Sequence, residues 1–553
     1  MTNEFDYLEG INKSAPSFYL IRNGDNRVED VKNFLKQTKL SDYLSNKKEK
    51  KNISSYYQEK LKNHINNFQN IIDMIDGDIT FIYEPIYVDK LYRDTYYHYH
   101  SEKHCHIERN CKRIFILKDR WEPINLYDIS RHDEIQKNLV GCVVIRPMMS
   151  SPIGRVLIDP FKTNIKSCYI RTTKLSVILL GQKYEINCYP FTAQDNEYMR
   201  CAETSLWTIL EYCGFRYSEY RTILPNEFIK ELEPISVERV LPSKGLDISK
   251  KSLLLKKFGF YPRVYTYDTY KKYFMSGHTV FKNIFYSYVQ SGFPISMTIT
   301  SKKLQKHAVV CIGHGEINYD KNLNDTKKLI FKDAREIEFI NFSELIDQYV
   351  IMDDNQTPYR LENYNRFSID HCAQIVMFIV PLYKKIFMDV KTAYVIFETY
   401  IEDYIKEISS YVREHAVDKN NYKVIQNIFL TSSRNYHIFK VEKSKSYTEK
   451  YLYSSLPLPR FIWIMELGIY NDVKDSHKVF AEVVLDATVE VPNFEYNTLN
   501  NNGCMILHRI GKHIGYTVFN EDYSQMSKRF VANTEDIFED SFEMFDKNLE
   551  FKM

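Results

Sequence analysis

Between residues 79 and 186 the chain passes through the runs ITFIYEPIYV, RIFILK, LVGCVVIRPM, GRVLIDP and LSVILLGQKYEI, with turn residues between them. β-Branched and aromatic runs of this length, bounded in this way, read as strands. The pattern then changes. Helical spacing is predicted over about 199–213, 247–258 and 279–290, followed by strand-like PISMTIT (294–300), HAVVCIGHG (307–315) and KLIFKDA (328–334). Helices first and an antiparallel sheet afterwards is an α+β order.

The flanks differ from both blocks. Residues 28–75 are rich in Lys and Asn, with scattered apolar positions at Val31, Phe34, Leu35, Leu40, Tyr43 and Leu44. They predict helices with a solvated face, and KKEKK (47–51) belongs to that face. Residues 351–553 carry a strand-like run at 373–382, a long helix over about 390–414, RFIWIMELGIY and KVFAEVVLDATVEV (478–491). The closing EDIFEDSFEMFDKNLEFKM reads as an acidic amphipathic helix. A chain of 553 residues exceeds one ordinary core. The division expected is a helical segment at 1–78, a β-rich accessory module at 79–190, a third domain at 191–350 and an α/β region at 351–553.

Composition removes some function classes. A formal net charge of +2 gives no global electrostatic case for nucleic acid. AQIVMFIVPL (373–382), among the most apolar segments, is about half the length that spans a bilayer. The opening MTNEFDYLEGINKS lacks a basic stretch followed by an apolar run, so no signal peptide and a reducing cytoplasm are expected. The ten cysteines form no dense disulfide framework. No Walker loop, dinucleotide glycine pattern or GxSxG occurs, and no cofactor is expected. The abundance of Lys, Asn, Ile and Tyr suits an AT-rich, bacterial genome.

The chemistry centres on QDNEYMRCAETSLWTIL (194–210). Ala202, Leu206, Ile209 and Cys213 are spaced by four, three and four, one face of a helix that has Cys201 in its first turn. First-turn N–H groups lack intrahelical partners and the helix dipole is positive there; both favour thiolate over thiol. Acyl transfer also needs a proton carrier, a group to orient it and an oxyanion donor. His307 opens the run HAVVCIGHG, and Asp333 lies near the end of LIFKDA. Adjacent antiparallel strands would let Asp333 bond one imidazole nitrogen and leave the other for Cys201. Gln194, seven residues before Cys201, offers an amide for the oxyanion, as does Asn196.

On these residues the segment 191–350 resembles the papain-like cysteine peptidases. HAVVCIGHG is similar to their histidine strand, and the Gln-loop-Cys-helix to their opening. FKDAREIEFINFSELIDQYV more closely resembles the bacteriocin-leader (double-glycine) peptidase branch, which uses Asp as its third residue. The resemblance implies a papain-like core with Cys201 as nucleophile, His307 as general base and acid, Asp333 as orienter and Gln194 as oxyanion donor. It implies a cysteine hydrolase acting on a protein or peptide through a thioester, without a metal. An acyltransferase or transglutaminase-like enzyme on the same residues, and a papain-like scaffold with an idle site, are the alternatives. Residues 79–190 and 351–553 would then select substrate or control access.

Other features have blander readings. His314 is seven residues from His307, so the two point to opposite faces of a regular strand, and a structural role is expected. Cys213 and Cys311 lie on core-like positions and read as inert. YHYHSEKHCHIERNC (97–111) offers His98, His100, His104, Cys105, His106 and Cys111. Its spacing fits no standard zinc finger or ribbon, and a Tyr/His-rich packing or surface segment is preferred over a metal site. Asp486 and His508 have no motif around them and read as structural.

Overall fold

The structure is a computed structural model that describes residues 15–38, 40, 66–104, 107–148, 151–273, 277–301, 306–321, 330, 332–364, 373–418, 422–490, 504–519, 526–530 and 538–553. It is a mixed α+β protein built on several largely antiparallel sheets.

The first sheet has the order Ser17–Ile21, Ile79–Tyr87, Cys111–Lys118, Leu139–Ile145, Ile153–Ile158, Phe191–Thr192, antiparallel throughout. Its strands read as nearly unbroken apolar runs because both faces are covered. Phe81, Ile114 and Ile116 pack against Phe34, Phe68 and Ile72 of the N-terminal helices. The alternate residues Ile82, Phe115 and Leu117 pack against Leu175, Val177 and Ile186. Those last three come from a hairpin, Thr173–Leu179 and Gln182–Cys188. Its two-residue turn, Leu180-Gly181, has positive φ at both positions, the geometry that matches strand twist. Helices on the N-terminal flank agree with the sequence where residues are described, at Arg27–Gln37 and 66–73. KKEKK lies outside the described residues.

The second sheet has the order Phe260–Thr266, Gln374–Tyr383, Ile295–Thr300, His307–Gly315, Gln348–Met352, Arg360–Asn363. Cys168–Ile170 also pairs with the far end of His307–Gly315, and Glu550–Lys552 pairs with Cys168–Ile170. Gly313 permits that crossing: a Cβ there would lie 1.9 Å from the Tyr169 carbonyl oxygen. The third sheet begins with Ile337–Asn341 parallel to Tyr422–Ser432 and continues antiparallel through Phe461–Ile469, Ala481–Asp486, Met505–Ile510 and His513–Phe519 to Met526–Phe530. Helix Gly277–Gln290 lies in the core shared by the second and third sheets, with Phe285 on Phe378 and Tyr288 on Trp463.

The strands cross the expected boundary at residue 350 in both directions. Arg360–Asn363 and Gln374–Tyr383 belong to the sheet of His307, whereas Ile337–Asn341 joins the C-terminal sheet. The helix expected over 390–414 is two, Val390–Asp403 and Ile405–His415, broken at Tyr404. The acidic C-terminal segment is not a helix where described. It forms the short strands Phe542–Glu543 and Glu550–Lys552, whose backbones find partners in Lys478–Val479 and Cys168–Ile170.

Candidate active site

Cys201 begins the helix Cys201–Arg216. The apolar spacing suggested one buried face, but every residue from Ala202 to Cys213 is buried. The helix packs on the sheet of His307 and in the core with Tyr189 and Phe228. Its polar residues therefore need internal partners. Trp207 donates to the Ile223 carbonyl (2.9 Å), and Ser205 Oγ lies 3.2 Å from Ser296 Oγ. Arg200 precedes the helix in extended conformation and supplies no side-chain cap.

The approach to Cys201 is fixed from the first sheet's module. Asp195, buried, accepts the backbone N–H groups of Glu197, Tyr198 and Met199 at 2.9, 2.7 and 2.8 Å. Burial alone would raise its pKa, but His100, Arg146 and these N–H groups hold it below the ordinary value. Arg146 donates to Ser151 O (3.1 Å), Ser151 Oγ (2.6 Å), Ile153 O (2.7 Å) and Gln194 O (3.2 Å).

His307 opens the strand His307–Gly315 and is buried. The carboxylate beside it is Asp353: Oδ1 lies 2.8 Å from His307 Nε2. Register explains the placement. Val310 pairs with Met352 in antiparallel strands, so the residues after Met352 run back alongside His307. Asp353 Oδ1 also accepts the Asn355 N–H at 3.0 Å. With Nε2 taken by Asp353, Nδ1 is the ring nitrogen left over, and Cys201 is among the neighbours that raise the imidazole's pKa. Burial is the largest influence on His307 and lowers its pKa, but Asp353, Cys201 and Asp354 outweigh it and hold the imidazole well above the ordinary value. Asp353 responds in kind. Burial would raise its pKa, but His307, the Asn355 N–H and Arg360 bring it below the usual carboxylate range.

Asp333 does not join this group. It is exposed on a one-turn 3-10 helix, Lys332–Ala334, where a strand was expected. Gln194 does approach it: its Nε2 donates to Asn355 Oδ1, tying the loop before Cys201 to the segment carrying Asp353. Asn196 has positive φ and lies within the turn that Asp195 organises.

Three further ionisable residues surround the site, and none was evident from motif spacing. Asp354 is 7% exposed and its Oδ1 lies 3.9 Å from His307 Nε2. Neither of its oxygens has a hydrogen-bond partner of full geometry, the Thr204 hydroxyl being the neighbouring donor. Burial pushes this carboxyl up to about 7. Glu203 is raised for the same reason and accepts from Ser243 Oγ, with Oε2 unpartnered. Lys251 is buried with its Nζ 3.0 Å from Ser296 Oγ.

Among the described residues, His307, Asp353 and Asp354 are the one set of three or more His, Cys, Asp or Glu side chains whose ligand atoms come within 4.8 Å of one another. A cation there would compete with the proton that Nε2 directs at Asp353. Of the described cysteines, Cys201 is the one that is not buried. Burial pushes the thiols of the other described cysteines up, to about 11 at Cys142, Cys168 and Cys504 and about 12 at Cys311.

The remaining candidates have structural surroundings. His314 is buried between Gln290 and the Gly315 carbonyl, and burial lowers its pKa to about 4. Cys105 and His106 lie outside the described residues. His98 meets Asn226 at 2.9 Å, while His100 packs, fully buried, 3.9 Å from both Asp195 and Glu197. That segment thus braces the loop before Cys201. Asp486 caps Thr488, and His508 faces Tyr400. Elsewhere, a pocket in the C-terminal region is lined by Lys440, Glu449 and Arg509 among others, with Arg509 paired to Glu449 at 3.0 Å.

A scan against protein-family models and a search of the curated proteins find no match to this chain. Among the described residues no helix is long and apolar enough to cross a membrane.

Proposed function

We propose that the protein is a cysteine hydrolase that cleaves amide or isopeptide bonds in a protein or peptide through a Cys201 thioester. The observation that carries this reading is His307, hydrogen-bonded through Nε2 to Asp353 at 2.8 Å, with Cys201 among the neighbours that raise its pKa. A protonated imidazole beside a thiol at a helix start supports a thiolate–imidazolium pair.

In this reading the Cys201 thiolate attacks the carbonyl carbon, and the carbonyl oxygen becomes an oxyanion. The first-turn N–H of Cys201 and the Gln194 amide are the donors nearest to hand in sequence. His307 gives its proton to the leaving amine, and the C–N bond breaks to leave an S-acyl thioester. The neutral imidazole then takes a proton from water, the resulting hydroxide attacks the thioester, and the thiolate is released. Asp353 keeps the ring oriented and stabilises its cationic form throughout.

A thiol-reactive probe at neutral pH, read cysteine by cysteine by mass spectrometry, tests this. Labelling concentrated on Cys201 and lost in His307→Ala is expected. Uniform labelling that His307→Ala leaves unchanged would remove the enzyme reading.

A further inference from the structure

The helix Ile248–Lys257 buries Leu254 and Leu255, and Lys251 precedes them by three and four residues on the same face. Its side chain is 3% exposed. Nζ donates to Ser296 Oγ at 3.0 Å and lies 3.4 Å from Ser205 Oγ. Ser205 stands one helical turn beyond Cys201, on the same side of their helix. Two serine hydroxyls thus tether a buried ammonium beside the turn that carries the nucleophile.

A buried cation is costly unless an anion faces it. Hydroxyls supply dipoles but no charge. The acidic groups around Nζ are Cys201, Glu203 and Asp354, and of these Cys201 acts on it most strongly. Glu203 is engaged by Ser243, and Asp354 faces Thr204 and His307. The imidazolium of His307 has its own counter-ion in Asp353. An ionised Cys201 sulfur, one helical turn from Ser205, would therefore be the charge best placed to balance Lys251.

We propose that Lys251 is a positioning residue, a second buried cation that, together with His307, holds the Cys201 sulfur as thiolate. This rests on the cysteine-hydrolase reading for its purpose, but its test does not. Burial lowers the lysine to about 8, which leaves it largely protonated at neutral pH. Glu203 and Asp354 oppose the thiolate when ionised, so Lys251 also offsets their field.

The test is the pH dependence of iodoacetamide alkylation at Cys201, followed on its own peptide in the full chain. Lys251→Gln can keep a hydrogen bond to a serine without the charge, Lys251→Met removes both, and Lys251→Arg keeps the charge. In the two neutral variants the midpoint of the Cys201 profile rises by about one pH unit or more, roughly a tenfold loss of thiolate below it. Lys251→Arg stays near the parent. A purely structural lysine would alter unfolding without moving the midpoint, and unmoved midpoints would overturn the proposal. Failure of both neutral variants to fold would also overturn it, by making the lysine's role structural. His307→Ala separates the two claims. If it moves the midpoint and the lysine variants do not, only the Lys251 assignment falls. If the lysine variants move it and His307→Ala does not, the acyl-transfer reading falls and Lys251 stands.

Discussion

His307 Nε2 lies 2.8 Å from Asp353 Oδ1, while Asp333, the carboxylate suggested by spacing, is exposed on a 3-10 turn. Asp353→Asn should therefore lower activity by about 10²-fold or more, and Asp333→Asn should leave it unchanged. The pH dependence carries the sign. Asp353 raises the pKa of a histidine that burial would otherwise depress. Without that charge the imidazole's pKa falls, so Cys201 alkylation should fall most near neutrality and recover at high pH, where the thiol ionises unaided. Alkylation profiles of the two variants measure this directly.

Asp354 predicts a gain in stability. Its folded pKa of about 7 exceeds its ordinary value of 3.8. Below the ordinary value both folded and unfolded states hold the proton and nothing is lost. Between the two values the unfolded state releases it while the folded state does not, so a destabilising contribution grows with pH and then levels off. Asp354→Asn should match the parent in thermal midpoint near pH 4 and exceed it at pH 8. An equal midpoint at pH 8 would contradict the assignment of a strained, buried carboxyl.

Gln194 can be tested by contrasting two reactions at the same sulfur. Alkylation by iodoacetamide forms no oxyanion, whereas acylation by an activated ester does. If the Gln194 amide stabilises the oxyanion, Gln194→Ala slows acylation by about 10²-fold and leaves alkylation unchanged. Equal slowing of both would mean that Gln194 acts through its bond to Asn355 Oδ1, by positioning the Asp353 segment.

Arg146 makes four hydrogen bonds to protein oxygens, of which the one to Gln194 O connects the first sheet to the Cys201 loop. Arg146→Met takes a donor from the buried Ser151 and Ile153 carbonyls and removes a charge facing Asp195. Denaturant unfolding should show a loss of about 2–4 kcal/mol, with slower Cys201 alkylation in the folded variant.

Cys201 and His307 were legible in the sequence because each opens an element whose periodicity is local. The five runs of the N-terminal module were legible for the same reason. Asp353 was not, because its position depends on the pairing of Gln348–Met352 with His307–Gly315 across a gap in sequence. An apolar run ending in two aspartates, YVIMDD, was the available signal. Asp333 stands in LIFKDA, whose composition is strand-like, yet its described part is a 3-10 turn leading into Ile337–Asn341, which pairs with the C-terminal sheet. Lys251 sits in KKSLLLKKF, which resembles a solvated helix face, although its spacing to Leu254 and Leu255 puts it on the buried one. The boundary at residue 350 failed to anticipate the sheets because strands from both sides of it exchange partners.

If His307 and Asp353 activate the Cys201 thiol as a nucleophile, Cys201 should take up an acyl group. Intact-mass and peptide mass spectrometry after brief exposure to an activated acyl ester at neutral pH tests it most directly. One hydroxylamine-labile acyl group, on Cys201, is expected to turn over in the parent and to be strongly diminished in His307→Ala and Asp353→Asn. Acylation spread over other residues, or equal acylation of Cys201 in all three proteins, would contradict it.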